Sequence, residues 1–223
     1  MLWLIKIMLS YRIRNIWAKS KFVEMFGDLN KNDMSWQFSP LGEICDVRDG
    51  THESPKYVSD SKYRLLTSKN FTKGYVDFSE VNYISEEDFH EINKRSLVES
   101  GDIVMPMIGT IGSPVIVGRD ANFAIKNVAL IKFSGSSYSS IFIKYVFDSE
   151  YFQTIVSSND RGSNRKFVTL DDLRTFPVPI VDRKLQDTFA DYAQTCDKLK
   201  FEAQERINNL ILDRNALIDK HFK

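Results

Sequence analysis

The segment Arg161-Gly162-Ser163-Asn164-Arg165-Lys166 places two guanidinium groups and an ammonium around small, flexible residues. Guanidinium forks clamp phosphate oxygens or read the edge of guanine, and a glycine lets a backbone approach a duplex closely. Three other polar segments offer related chemistry. Asp49-Gly50-Thr51-His52-Glu53-Ser54-Pro55 joins a glycine turn to side chains that can hydrogen-bond. Ser68-Lys69-Asn70 supplies a cation for phosphate and an amide suited to an adenine edge, and Lys126-Asn127 repeats that pair within strand-like sequence. The candidate nucleic-acid contacts are therefore Thr51, His52, Ser68, Lys69, Asn70, Lys126, Asn127, Arg161, Ser163, Asn164, Arg165 and Lys166. Each pair also has an ordinary use in a turn or on a surface. The 161–166 run carries the strongest signal.

Catalytic signatures are missing from the sequence. Gly109-Thr110-Ile111-Gly112 has no Lys-Ser/Thr pair after it, so it is no phosphate cradle of the Walker type. His52, His90 and His221 are too scattered for a metal site or a Ser/His/Asp arrangement. There is no Asp/Asn-Pro-Pro-aromatic segment of the kind that grips a flipped base, and no carboxylate-plus-lysine spacing for magnesium. These readings predict a binding protein that leaves any chemistry to a partner, with no metal and no cofactor of its own.

The 223 residues suit one or two domains with a real core. Thirty basic and thirty acidic residues cancel, so distribution matters more than the sum. Asp77 to Asp102 is acid-rich, whereas Arg161 to Lys166 and the first 21 residues are basic. Cys45 and Cys196 stand alone in apolar surroundings, as expected in a reducing cytosol. Met1 to Leu9 is apolar but interrupted by Lys6, too short for a membrane span and a poor signal peptide. The expected location is the cytoplasm.

These segments need a scaffold. Ile13, Ile16, Trp17 and Val23 have near-helical spacing, with Gly27 as a stop. Strands are expected at Tyr63–Leu66, Gly74–Phe78, Ile103–Ile108, Pro114–Val117 and, in one piece, Phe123–Phe133. Ser85 with Asp88 reads as a capped helix start, and that helix is expected to end near Ser100-Gly101. Phe142, Tyr145, Val146 and Phe152 mark one face of a further helix. Val178-Pro179-Ile180 is a last extended piece.

From Arg183 to Phe222 there is neither Pro nor Gly, which predicts one helix of roughly 60 Å. Phe189, Cys196, Ala203, Leu210 and Leu217 recur every seven residues, with Ala193 and Ile207 beside them. That repeat favours supercoiling against another helix, although Lys200 and Arg214 interrupt the companion row. The alternative is an amphipathic helix lying on its own domain. Phe189, Cys196, Ala203, Ile207, Leu210 and Leu217 are the candidate packing or partner positions. Arg14-Asn15 to Phe22 also resembles Arg214-Asn215 to Phe222, as though the chain ends where a second unit would begin.

The expected fold is α+β. A short N-terminal helix (1–28) precedes a mixed strand and helix domain (29–182), and a long coiled-coil-type helix (183–223) follows it. The order of segments resembles the target-recognition domain of type I restriction-modification specificity subunits. It is carried by Asp49-Gly50-Thr51-His52, Ile84-Ser85-Glu86-Glu87, Gly101-Asp102-Ile103-Val104, Ile108-Gly109-Thr110-Ile111-Gly112, Ala124-Ile125 through Ala129-Leu130, and Leu170 through Pro177-Val178-Pro179. Phe22-Val23-Glu24-Met25-Phe26-Gly27-Asp28 resembles the tail of that family's conserved helix. The resemblance implies a non-catalytic subunit that reads half of a bipartite double-stranded DNA target. It implies methyltransferase partners that bind S-adenosylmethionine, and possible restriction subunits. A single recognition domain implies either a half-size subunit that dimerises through its long helix or one half of a split gene. The competing reading is a coiled-coil assembly module whose globular domain binds protein.

Overall fold

A computed structural model of the chain describes residues 17–108, 113–158 and 167–221. The sequence motifs at Met1–Leu9, Arg14-Asn15, Gly109–Gly112 and Arg161–Lys166, and Phe222, lie outside the described residues. The chain divides into two compact units. One is Gly27–Asp187; the other combines Met1–Phe26 with Thr188–Lys223.

The first unit is mixed α+β. Its elements are β1 (Phe38–Pro40), α2 (Leu41–Ile44), β2 (Asp46–Asp49), β3 (Tyr63–Thr67), β4 (Asn82–Ile84), α3 (Glu86–Ser96), β5 (Ile103–Pro106), β6 (Val115–Ile116), β7 (Phe123–Lys126), β8 (Val128–Lys132), α4 (Ser140–Phe147), α5 (Glu150–Ser158), α6 (Leu170–Arg174) and β9 (Pro177–Pro179). A helix over residues 17–26, here α1, precedes them, and α7 (Arg183–His221) follows.

The strands form three sheets, ordered β1-β9, β2-β8-β5-β6 and β4-β3-β7. The four-stranded sheet is antiparallel throughout, whereas β3 pairs parallel with β7. The β3–β7 layer is apolar on both faces. Leu66, Phe123 and Ile125 join one core with Phe71, Val104, Val128 and Leu130, while Leu65 and Ala124 cluster with Ile84 of β4 and Phe89 of α3. Alternate strand residues point to opposite faces, so a layer covered on both sides reads as continuous hydrophobic runs. Burial of these side chains, at about 25 cal/mol per Å², is the main force holding the sheets together.

Four expectations are corrected. Phe123–Phe133 is not one strand: Asn127 adopts φ 55°, and the chain turns there from the three-stranded sheet into the four-stranded one. Asparagine tolerates this left-handed conformation better than other non-glycine residues. Gly74–Phe78 is not a strand: Asp77 is tied to Asn70 instead, its N–H donating to Asn70 O and its carbonyl accepting from Asn70 Nδ2, each at 2.8 Å. The helix begun at Ser85 stops at Ser96, with Leu97 as its cap, although the expected capping is present: Asp88 N donates to Ser85 Oγ at 3.1 Å. The aromatic helix is two helices, α4 and α5, with a break at Asp148-Ser149. Their Phe147 and Phe152 pack on Phe176 at centroid distances of 5.6 and 5.2 Å.

Gln186, near the start of α7, is buried. Its Oε1 accepts from Ser139 N and its Nε2 donates to Val181 O, each at 2.9 Å. In the second unit Phe189 is fully buried between Phe22 and Phe26, at 5.3 and 5.5 Å. Phe189 is therefore a core residue of the paired terminal helices, not an open docking position. Cys196, Ala203 and Ile207 are half-buried, whereas Leu210 and Leu217 are 67% and 58% exposed. No helix among the described residues is long and apolar enough to cross a membrane.

Candidate nucleic-acid interface

Strand register brings the predicted polar segments to one rim. On one edge of β7, Lys126 pairs with Thr67, so Ser68 and Lys69 emerge beside it. On its other edge Lys126 forms a bridge with Thr51. Gly50 N donates to Val128 O and Thr51 N to Ile125 O, both at 3.0 Å, and Asn127 N donates to Thr51 O at 3.1 Å. The chain after β2 thus crosses the point where β7 turns into β8. Gly50 makes the crossing possible: a Cβ there would lie 2.4 Å from Ile125 O. Thr51, His52, Lys126 and Asn127, distant in sequence, become neighbours for this reason.

Their side chains interlock. His52 Nε2 lies 2.6 Å from Asp49 Oδ2, and Nδ1 lies 2.9 Å from Asn127 Oδ1. The other Asp49 oxygen is held by Arg95, which also donates to Gly50 O at 3.3 Å. Lys126 Nζ donates to Ser54 Oγ. Asp49 is mostly covered, while His52 and Arg95 are exposed. The rim therefore presents a histidine, an amide and two cations over a largely covered carboxylate.

The 3₁₀ turn Ser68–Phe71 separates two of the sequence candidates from the third. Lys69 is exposed and lines an open cleft of about 690 Å³ with Lys73, Asp77, Asn82 and Tyr83. Asn70 is only 6% exposed, and its Oδ1 accepts from Thr67 N at 2.9 Å while its amide nitrogen holds Asp77 and Glu80. Asn70 braces the loop and is not available to a base edge. Beside the cleft, Lys73 and the Ser79 backbone N–H hold the Asp77 carboxyl well down, at about 2.

Arg161, Ser163, Asn164, Arg165 and Lys166 lie outside the described residues. Phe167, immediately after them, forms an antiparallel bridge with Ile108, and Val168 N donates to Met107 O at 2.9 Å. Ile108 continues β5 past Pro106, which pairs with Val128. The bridge therefore lies toward the same end of the four-stranded sheet as Gly50 and Asn127. Ile108 and Phe167 are both exposed. Sequence reasoning missed these two residues and the Asp49–Arg95 pair. Arg95 sits 46 residues from Asp49, beside Lys94 at the end of a helix, so no local pattern announces the pairing. No metal-binding cluster occurs among the described residues.

A family model described as "Type I restriction modification DNA specificity domain" matches residues 34–213. The EcoBI type I restriction enzyme specificity subunit of Escherichia coli is 31% identical over 168 residues, covering 71% of this chain and 34% of that protein. The MjaVIII specificity subunit of Methanocaldococcus jannaschii is 20% identical over 174 residues, covering 74% of this chain and 40% of that protein. The chain thus spans well under half the length of these curated relatives. Among solved structures, the HsdS subunit of Thermoanaerobacter tengcongensis aligns over 90% of this chain and 47% of its own, with TM-score 0.59 and 15% identity. The S subunit of M. genitalium aligns over 96% of this chain and 54% of its own, with TM-score 0.57 and 14% identity. Likeness at this identity shows a shared fold, α+β with a long C-terminal helix. With the family model covering most of its residues, the chain belongs to the type I restriction modification DNA specificity domain family.

Proposed function

We propose that the chain is a non-catalytic, sequence-specific DNA-binding subunit of a type I restriction-modification system. The Gly27–Asp187 unit reads one half of a bipartite duplex target, and α7 acts as spacer and docking element. Methyl transfer from S-adenosylmethionine falls to methyltransferase partners, and cleavage to a restriction subunit where one is present. The observation that supports this reading best is the convergence of Thr51, His52, Ser68, Lys69, Lys126 and Asn127 on one rim in a family of DNA specificity domains. Its setting is the cytoplasm, where the DNA is.

Lysine and arginine contacts to phosphate give affinity without sequence, whereas an amide and an imidazole at base edges give selectivity. One half-site reader is weak. Two joined by a stiff spacer bind together at high effective concentration, with fixed separation between the halves. The exposed Leu210 and Leu217 favour α7 as the element through which a second copy or a methyltransferase subunit is held.

The test pairs the purified chain with its cognate methyltransferase and sequences the methylome with and without the gene. A bipartite methylated motif that vanishes on deletion is expected; an unchanged pattern overturns the proposal. The competing assembly-module reading predicts that an Arg161/Arg165/Lys166 triple alanine variant keeps its DNA retention but loses its protein partner.

A further inference from the structure

We propose that Asp49 and His52 are positioning residues that set which end of the Asn127 amide is offered to a base. This inference rests on the DNA-reading proposal above and names a specificity-determining residue within it. Three observations carry it. Asn127 stands exposed at the turn between β7 and β8, in a backbone conformation fixed by the crossing chain. Only one end of its amide is engaged: Oδ1 lies 2.9 Å from His52 Nδ1, and Nδ2 makes no bond to the described residues. His52 is in turn held at 2.6 Å by Asp49, whose second oxygen is fixed by Arg95.

The consequence follows from the donor and acceptor inventory of these groups. A carboxylate only accepts, so His52 Nε2 carries the hydrogen that faces Asp49. If Nδ1 also carries one, it donates to Asn127 Oδ1 and leaves the Nδ2 donor for a base. A donor in the major groove finds acceptors on guanine (N7 and O6), thymine (O4) and adenine (N7), but none on cytosine. If Nδ1 is bare, it accepts from Nδ2; the amide turns over, and Oδ1 then faces the adenine N6 or cytosine N4 amino groups. The histidine thus decides, without touching the DNA, whether cytosine is refused or guanine and thymine are. The surrounding charges are Asp49 from β2, Arg95 from α3 and Lys126 from β7; Lys126 is engaged with Ser54 and Arg95 with Asp49, so neither competes for the amide.

The experiment is selection of binding sites from a randomised duplex pool, using the chain with its cognate methyltransferase subunits. Asn127→Gly removes the side chain while suiting the left-handed backbone. It should flatten preference at one base pair by about fivefold or more, the low end for a base contact, with the other positions unchanged. His52→Lys can only donate, so it should disfavour cytosine at that position. Asn127→Asp can only accept and should favour adenine or cytosine. Wild-type chain with no sequence preference at all would sink the DNA-reading proposal instead. A selective wild type whose Asn127→Gly variant keeps the full preference overturns this inference. So does a His52→Ala variant that leaves the Asn127-dependent position as in wild type, thermal melts having shown each variant folded.

Discussion

Lys132 Nζ lies 2.9 Å from Asp102 Oδ2, and neither side chain is more than a tenth exposed. Lys132 also donates to Leu97 O and reaches Glu99 Oε2, each at 2.8 Å. Asp102 accepts in addition from Glu99 N at 2.9 Å and Phe133 N at 3.3 Å. The group fastens the turn after α3 to the end of β8. It therefore fixes the helix that carries Arg95, and through Arg95 the Asp49 carboxylate at the rim.

Breaking this buried pair leaves one uncompensated charge, which costs about 3–5 kcal/mol. Lys132→Met should lower the unfolding free energy by that amount; Asp102→Ala should cost less, because Glu99 still faces Lys132. Together the two changes should cost much less than their sum, because no orphaned charge remains. Urea unfolding of the three variants measures it; simple additivity would show that the pair contributes no coupling.

Asn70→Ala and Lys69→Ala should separate cleanly although the residues are adjacent. Asn70 is buried, and its loss removes the bonds its side chain makes to Asp77 O, Glu80 O and Thr67 N, so it should destabilise by about 1–3 kcal/mol for each group left unsatisfied. Lys69 is exposed, so its removal should leave unfolding unchanged. Instead, Lys69→Ala should lower the slope of DNA affinity against salt by about one. Thermal melts and salt-dependent binding isotherms check both halves.

The contrast between these neighbours shows what the sequence discloses. Lys69 and Asn70 look alike as polar loop residues, and only the fold reveals that one faces water and the other the Asp77–Glu80 backbone. The Ser85 cap, the β3 and β9 strands and α7 were legible because each rests on local rules of capping, alternation or breaker-free length. The turn at Asn127 was not, since its cause is a chain segment some 75 positions away crossing at Gly50-Thr51. The rim could be named as separate pieces but not assembled, because parallel pairing of β3 with β7 leaves no signature in either strand alone. Phe189 fits the seven-residue repeat equally well as a docking seam or a core residue; Phe22 and Phe26 decide the matter.

Gly50→Ala should disturb the rim more than the core. The added Cβ meets backbone, 2.4 Å from Ile125 O and 2.6 Å from Ile125 C, and backbone cannot yield as a side-chain tip can. Forced separation of this kind costs about 1–3 kcal/mol. DNA selectivity should fall with it, because Thr51 and His52 follow directly. A melt unchanged from wild type would mean that the crossing has room to spare.

The loop beside the cleft should respond to acid. Lys73 and the Ser79 backbone N–H hold the Asp77 carboxyl at about 2, below its ordinary 3.8. A depressed carboxyl contributes stability in full above its unfolded value and loses it as pH falls through the folded one. Amide protection factors in residues 68–81 should therefore fall between about pH 4 and pH 2. Asp77→Asn should exchange faster at neutral pH and show no such acid step.

The exposed part of α7 supplies the last prediction. Leu210 and Leu217 stand one seven-residue repeat apart and leave more than half their surface open to water, whereas Phe189 on the same repeat is enclosed. A charge at Leu210 or Leu217 meets solvent in the isolated chain and an apolar seam in an assembly. Leu210→Glu with Leu217→Glu should therefore leave the melt of the Gly27–Asp187 unit intact while dissociating any dimer or methyltransferase complex, as read by light scattering. Phe189→Ala should instead destabilise the paired terminal helices. It removes a ring packed at 5.3 and 5.5 Å against Phe22 and Phe26, costing about 3–5 kcal/mol in the terminal helices. An unaltered assembly in the double glutamate variant would place the partner elsewhere on the chain.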